Sequence, residues 1–374
     1  MRRRTLMTAA PLLPVLAVGC HGADKPSKDP SQPGTVEEPE FALLFQNTLG
    51  GHRVNGSGEG QVLLLGFGGD VLETFPFLPI DQPGLVEHQG ALSWVGDDGA
   101  YIWSEEMQMA ATWATDGFIE PRSSLTSIST TDSGFLVVID GGAPSADRYV
   151  SGLALIAKDQ PPQVWSHDGW LGAGVAWVDG RAVGFSSSTL FDPMITFTDL
   201  STAPDGEKLA PSIDGSSVFG RLVTDNARVQ ILHAPKMSGR VAQLWTHDVE
   251  TGFTDLVPLR GAGARLDVAD WYTDSLPVDT VLVEGILYWL QGSKLWRADA
   301  LTGESDIIAD AASDSHGTLF LTQNGLISVG RSVKGWTVGC RDLATGDEVA
   351  AVDGIRVDGP KDLLPLGAVR LVDS

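Results

Sequence analysis

An all-β chain, folded as seven four-stranded sheets closed into a ring, is the architecture this sequence predicts, and three observations carry it. One phrase recurs in the last third: Asp248-Val-Glu-Thr251-Gly252, Asp299-Ala-Leu-Thr302-Gly303 and Asp342-Leu-Ala-Thr345-Gly346, each an Asp-x-x-Thr-Gly. Each copy is flanked by short alternating runs, such as Leu295-Trp-Arg-Ala298 before and Ser305-Asp-Ile-Ile-Ala309 after. Two such runs joined by a short connection ending in Gly read as a β-hairpin, because Gly takes the positive φ that closes the turn and Asp bonds the backbone just ahead. The glycines lie 51 and 43 residues apart, the period of a four-stranded β-propeller blade.

In chain order, residues 1–19 read as an export signal. Arg2-Arg3-Arg4 is a basic head, and Leu6 to Val18 is an apolar body too short to span a membrane as a stable helix. Its end, Leu16-Ala-Val-Gly-Cys20, resembles the lipobox of bacterial lipoproteins, although Ala17 stands where that family most often has Leu. The resemblance implies lipidation of Cys20 and an extracytoplasmic protein held to the cell membrane or outer membrane by its lipid. Arg3-Arg4 followed by Thr5-Leu6-Met7 also resembles a twin-arginine signal. Residues 20–40 place Pro26, Pro30, Pro33 and Pro39 among Lys, Asp, Ser and Glu, with almost nothing apolar, and are expected to be a disordered tether. A coil of that length spans roughly 25 Å, which holds the folded body clear of the membrane.

Residues 41–374 are expected to form one propeller domain, with Gly and Pro punctuating short apolar runs and no linker-like break. Hairpin joints fall at Gly68-Gly69, Glu105-Glu106 and Asp159 to Gln163, then at Asp199-Leu-Ser-Thr202-Ala203, a degraded copy of the phrase, and then at its three full copies. The mean step is about 46 residues. Beyond the last joint the chain adds Gly354-Ile-Arg-Val357 and Gly367-Ala-Val-Arg-Leu-Val372. An open ring would leave a row of unpaired backbone groups, so the second segment is predicted to supply the missing opening strand of the first blade, alongside strands from Phe41 to Phe67.

The net charge of -23 falls to about -26 once the three leading arginines are removed, and a body this acidic disfavours nucleic acid as a partner. With Cys20 acylated, Cys340 has no partner for a disulfide and reads as a small buried apolar residue in a strand.

Chemistry is sparse. There is no His-Glu-x-x-His, Gly-x-Ser-x-Gly, phosphate loop or dinucleotide fingerprint, and the seven histidines show no ligand spacing, so no cofactor and no metal are read from the sequence. Thr130-Thr-Asp132-Ser-Gly134 resembles the core of the sialidase Asp-box but lacks the Trp that follows it there, and reads as a tight turn. Gly96-Asp97-Asp98-Gly99 lacks the spaced ligands of a calcium loop. Of the eleven tryptophans, Trp94, Trp103, Trp113, Trp165, Trp177, Trp245, Trp289, Trp296 and Trp336 fall in or beside expected strands, where they fill the wedge between blades. Two segments differ. His167, Asp168 and Trp170, and likewise Asp270, Trp271, Tyr272 and Asp274, combine an aromatic platform with carboxylates in expected loops and are the candidate ligand segments.

The repeat as a whole resembles bacterial propellers of the WD-repeat and quinoprotein-like type, whose third strand commonly ends in an Asp-x-x-Thr-Gly turn. The match covers residues 190–352 well and 41–189 poorly, and the further motifs that carry the quinoprotein cofactor and catalytic Asp are not found. It therefore supports the fold and transfers no site. Two functional classes remain. One is a monomeric, lipid-anchored module that binds or scaffolds a protein or cell-wall partner. The other is an exported polysaccharide hydrolase or lyase with two carboxylates converging at the central funnel.

Overall fold

In the computed structural model the chain is described over residues 38–371, apart from 48–59, 79–83, 97–98, 105–106, 113–123, 132–133, 141–148, 158–159, 161, 172–173, 189–193, 202–205, 215–217, 234–240, 266–278, 293, 311–316 and 359–362. Strands join antiparallel into seven sheets, one per blade. From the innermost strand outward, blade I is Leu363–Arg370, Phe41–Asn47, Gly60–Leu65 and Val71–Phe77. Blade II is Leu85–His88, Ala91–Gly96, Gly99–Ser104 and Met107–Thr112, and blade III is Ser124–Thr131, Gly134–Asp140, Val150–Ala157 and Gln163–Asp168. Blade IV is Val175–Val178, Arg181–Ser186, Met194–Asp199 and Glu207–Lys208, and blade V is Val218–Asp225, Arg228–His233, Gln243–Asp248 and Thr254–Pro258. Blade VI is Thr280–Val283, Ile286–Gln291, Lys294–Asp299 and Glu304–Asp310, and blade VII is Gly317–Thr322, Gly325–Ser332, Gly335–Arg341 and Glu348–Ile355. Two short strands are added: Ile213–Asp214 pairs with the third strand of blade IV, and Arg260–Gly261 runs parallel to the outer strand of blade VI. The innermost strands touch one another in succession round the whole ring.

The seven expected joints fall in chain order between the third and fourth strands of their blades, with Glu105-Glu106, Asp159 and Thr202-Ala203 themselves outside the described residues. In the three full copies the Asp carboxylate accepts from both the backbone and the hydroxyl of its Thr, at 2.7–3.1 Å. The Gly nitrogen donates to the Asp carbonyl at 2.8–2.9 Å. The hydrogen bonds from Thr251 and Thr302 favour the charged form and hold the Asp248 and Asp299 carboxyls below the usual carboxylate range. The residue after the Asp is a knob: Leu200, Val249, Ala300 and Leu343 are all buried. Leu200, Val249 and Leu343 sit in clusters with blades III, IV and VI, each the blade before their own. Turn carbonyls are gripped across the same interfaces: Trp165 donates to Leu200, Gln230 to Ala300 and Arg297 to Ala344. The repeated phrase thus closes its own hairpin and latches its blade onto the previous one.

Seven apolar clusters fill the seven interfaces. A strand alternates its side chains between two faces, so Phe41, Leu43 and Phe45 enter the cluster shared with blade VII while Ala42 and Leu44 enter the one shared with blade II. This explains why the run is continuously apolar. Trp94, Trp103, Trp245, Trp289, Trp296 and Trp336 are buried, and Trp165 and Trp177 pack partly buried against the cluster between blades III and IV. Trp113 lies outside the described residues. Cys340 is fully buried, and burial pushes its thiol up to about 11.

The C-terminal closing strand is present, slightly earlier than Gly367–Val372: Leu363–Arg370 pairs antiparallel with Phe41–Asn47, with a register shift at Leu44/Phe45. Gly354 and Ile355, read as lying beyond the seventh hairpin, instead complete the outer strand of blade VII. Arg370 bridges to the buried Glu40 at 3.3 Å, and the Leu371 nitrogen donates to the Glu40 carbonyl, which ties the two ends of the ring together.

Candidate functional site

The innermost strands enclose a central channel with a cavity of about 160 Å³. Its wall comes from the residues just ahead of the turn joining first and second strands in most blades, so it is assembled from all seven. Several of those turns are tight and place residues at positive φ, including Gln89-Gly90, Asp179-Gly180 and Glu284-Gly285. Gln89, Asp179 and Glu284 adopt φ near 50° beside a Gly, the geometry of a two-residue hairpin turn.

Among the described residues, charged groups enter the channel from three blades, and each has a partner. Arg221 of blade V is set by a bulge: the register moves between Phe219 and Val223, and Gly220 takes φ +77 where a Cβ would lie 2.5 Å from Thr280. The Arg221 guanidinium meets Asp279 of blade VI at 3.4 Å, and the Thr280 hydroxyl both accepts from the Arg221 nitrogen and donates to its carbonyl. Across the ring on blade II, Glu87 accepts from the Gly90 nitrogen at 2.9 Å and from the Asn324 amide of blade VII at 2.7 Å. The same amide donates to the Arg370 carbonyl, so Glu87 belongs to the junction that closes the ring. Ser129 of blade III donates to the Val175 carbonyl of blade IV. The buried Ser127 hydroxyl finds no partner among the described residues. Among the described residues no three His, Cys, Asp or Glu side chains gather to hold a metal ion.

The first candidate ligand segment, His167, Asp168 and Trp170, does not line this channel. His167 and Asp168, expected in a loop, belong to the outer strand of blade III, where the 2.0-residue alternation of Gln163–Asp168 turns His167 into the interior. Trp170 forms an antiparallel bridge with Ser187 of blade IV, and the Ser151 hydroxyl of the same blade III sheet caps the Gly169 carbonyl at 2.8 Å. The segment is a brace between two blades. Asp270, Trp271, Tyr272 and Asp274 lie outside the described residues, as do Cys20 and the whole leader. Glu87, Arg221 and Asp279 carry no motif that marks them in the sequence, and Asn324 is marked only as half of an Asn-Gly turn. Their signal is positional, since each lies in or near the first strand of a blade or its turn.

No known family model matches the chain, and no curated protein matches it. Among solved structures, the β-propeller domain of the Trilobed protease from Pyrococcus furiosus is similar at TM-score 0.50 and 11% identity, over 83% of this chain and 92% of that one. That domain is described as having an open velcro topology, whereas here the C-terminal strand closes the ring. The WD40 domain of Neurospora crassa Pan2 is similar at TM-score 0.41 and 9% identity, over 78% of this chain and 86% of that one. An acylaminoacyl peptidase from Pyrococcus horikoshii is similar at TM-score 0.47 and 12% identity, over 83% of this chain and 50% of that one.

Proposed function

We propose that this chain is a lipid-anchored, extracytoplasmic propeller that binds or scaffolds a protein or cell-wall partner without transforming it. The observation that supports the reading is the state of the two carboxylates that line the channel among the described residues. Glu87 and Asp279 stand on blades II and VI, and each engages a fixed partner: a backbone amide and Asn324 for one, Arg221 for the other. Glycoside hydrolysis needs two carboxyls that face one bond at roughly 5–10 Å and change protonation in turn. Carboxylates committed to inter-blade hydrogen bonds act instead as a rigid polar collar. The lipobox-like end at Cys20 and the Pro-rich tether support placement at a membrane surface outside the cytoplasm.

The full-length protein, mixed with isolated cell-wall polymer or envelope protein, should co-sediment without releasing soluble fragments. Release of sugar fragments by the wild type that stops in Glu87→Gln or Asp279→Asn, in variants that still fold, would establish the hydrolase or lyase instead.

A further inference from the structure

We propose that the end of the propeller carrying the third-to-fourth strand turns rests on a net-neutral lipid surface, with Phe67, Phe253 and Leu301 as its apolar feet. The proposal rests on the lipid-anchor reading and adds an orientation to it. In each blade the turns between first and second strands and between third and fourth strands lie at one end, because successive antiparallel strands reverse direction. The described chain also begins at that end. The Glu40 nitrogen donates to the Leu65 carbonyl, where the third strand of blade I runs into its turn. The described chain therefore enters the ring on the turn side. With an anchor at Cys20, the expected coil of roughly 25 Å lets the ring stand off the membrane or lie against it.

Three large apolar side chains decide between these. Phe67 in the turn of blade I is 69% exposed, Phe253 just after the turn of blade V 64%, and Leu301 in the turn of blade VI 67%. They are held outward by turns whose polar groups are satisfied internally. The Leu301 nitrogen donates to Asp299, the Asp248 nitrogen donates to the Phe253 carbonyl, and Gly66 and Gly69 close the turn around Phe67 through Asp70 and Gly66 carbonyls. The three side chains fall in the continuous arc of blades V, VI, VII and I, which includes the blade where the chain enters. Apolar groups on separate blades form no groove, so they suit a partner that is flat over the width of the ring, as a bilayer is. Among the described residues the opposite end exposes Val333, in the turn between second and third strands of blade VII, and less fully Leu78, Met194 and Leu364 at strand ends.

Charge sets the lipid class. A chain of net charge -23, with Asp248, Asp299 and Asp342 in these same turns, is repelled by anionic headgroups. Zwitterionic lipid lets the apolar side chains enter the interface without that repulsion.

The test uses the full-length lipidated protein on phosphatidylcholine vesicles, with an environment-sensitive fluorophore on Leu301→Cys or, separately, on Val333→Cys; the buried Cys340 is inaccessible to the label. The protein should float with the vesicles, and the label at position 301 should shift to the blue while the label at 333 keeps its aqueous emission. Adding Phe67→Ser and Phe253→Ser should reduce the shift at 301, and so should phosphatidylglycerol in the vesicles, with flotation unchanged. Flotation with an aqueous signal at 301, or equal shifts at both positions, overturns the orientation while leaving the anchor intact. Lack of flotation overturns the anchor and the orientation with it. A shift produced by an envelope protein and not by vesicles would make that protein the occupant and overturn the proposal.

Discussion

Blade VI and blade I reach the same four-stranded sheet from opposite kinds of chain. Blade VI is a single stretch, Thr280 to Asp310, whose hairpins close locally through Glu284-Gly285 and the Asp299 turn. Blade I takes its innermost strand from residues 363–370 and the rest from 41–77, so its central pairing joins the two ends of the domain. The first is specified by neighbours in sequence, whereas the second forms only when the ring does. Local turn chemistry should therefore govern the one, and long-range closure the other.

Removing residues 363–374 should have the largest effect. It takes Leu363 and Ala368 out of the cluster shared with blade VII, takes Val369 out of the cluster shared with blade II, and strands the buried Glu40 without Arg370. Thermal melting should show a marked fall in Tm or aggregation, and a deletion of equal length within residues 24–36 should show neither. A truncated protein that melts like the parent would break the contrast.

Gly303→Ala and Gly252→Ala sharpen it on the other side. Both glycines have φ near +70, which costs an L-residue about 1–2 kcal/mol. A Cβ at Gly303 would also lie 2.2 Å from the Pro258 carbonyl of blade V, whereas Gly252 has open space. Chemical denaturation should therefore show the larger loss for Gly303→Ala. Equal losses would mean that the turn does not latch the blades. Asp299→Ala removes the acceptor for Leu301, Thr302 and the Thr302 hydroxyl and should cost roughly 0.5–1 kcal/mol at an exposed turn, read from the same titrations.

The smallest effect is a pH dependence. His247 is buried against Phe197 of blade IV and Trp245, and burial lowers its pKa below the usual 6.5. Its folded form is neutral, so its contribution is fully present above pH 6.5 and is lost as pH falls from there toward the lowered folded value. The Asp248 and Asp299 carboxyls, also lowered, contribute above the ordinary carboxylate value of 3.8 and lose that contribution as pH falls below it. His247→Gln should flatten the first decline in Tm with pH and leave the second.

Legibility followed the same division. The three complete turns announced blades V to VII because the Asp, Thr and Gly needed to close them sit within five residues. Blade IV keeps Asp199 and Thr202 but has Ala203 in place of the Gly, and Asp199 accepts from the Ser201 nitrogen. In blades I and II the joints carry Gly68-Gly69 and Glu105-Glu106, and only their spacing betrays them. The closing strand was readable from a topological necessity and from the surplus of chain after the seventh joint. The channel was not readable, since Glu87, Arg221, Asp279 and Asn324 come from four blades and meet only once the ring is closed. His167 reads as a loop residue in the sequence because its polar neighbours hide the alternation that buries it in a strand.

Hydrogen exchange of the intact protein, followed at the amides of Leu363–Arg370 and Phe41–Asn47, tests ring closure most directly. Both strands lie within one four-stranded sheet, so their paired amides should share slow exchange comparable with the core strands of blade VI. Fast exchange of residues 363–370, while 41–47 stay protected, would mean that the tail does not close the ring.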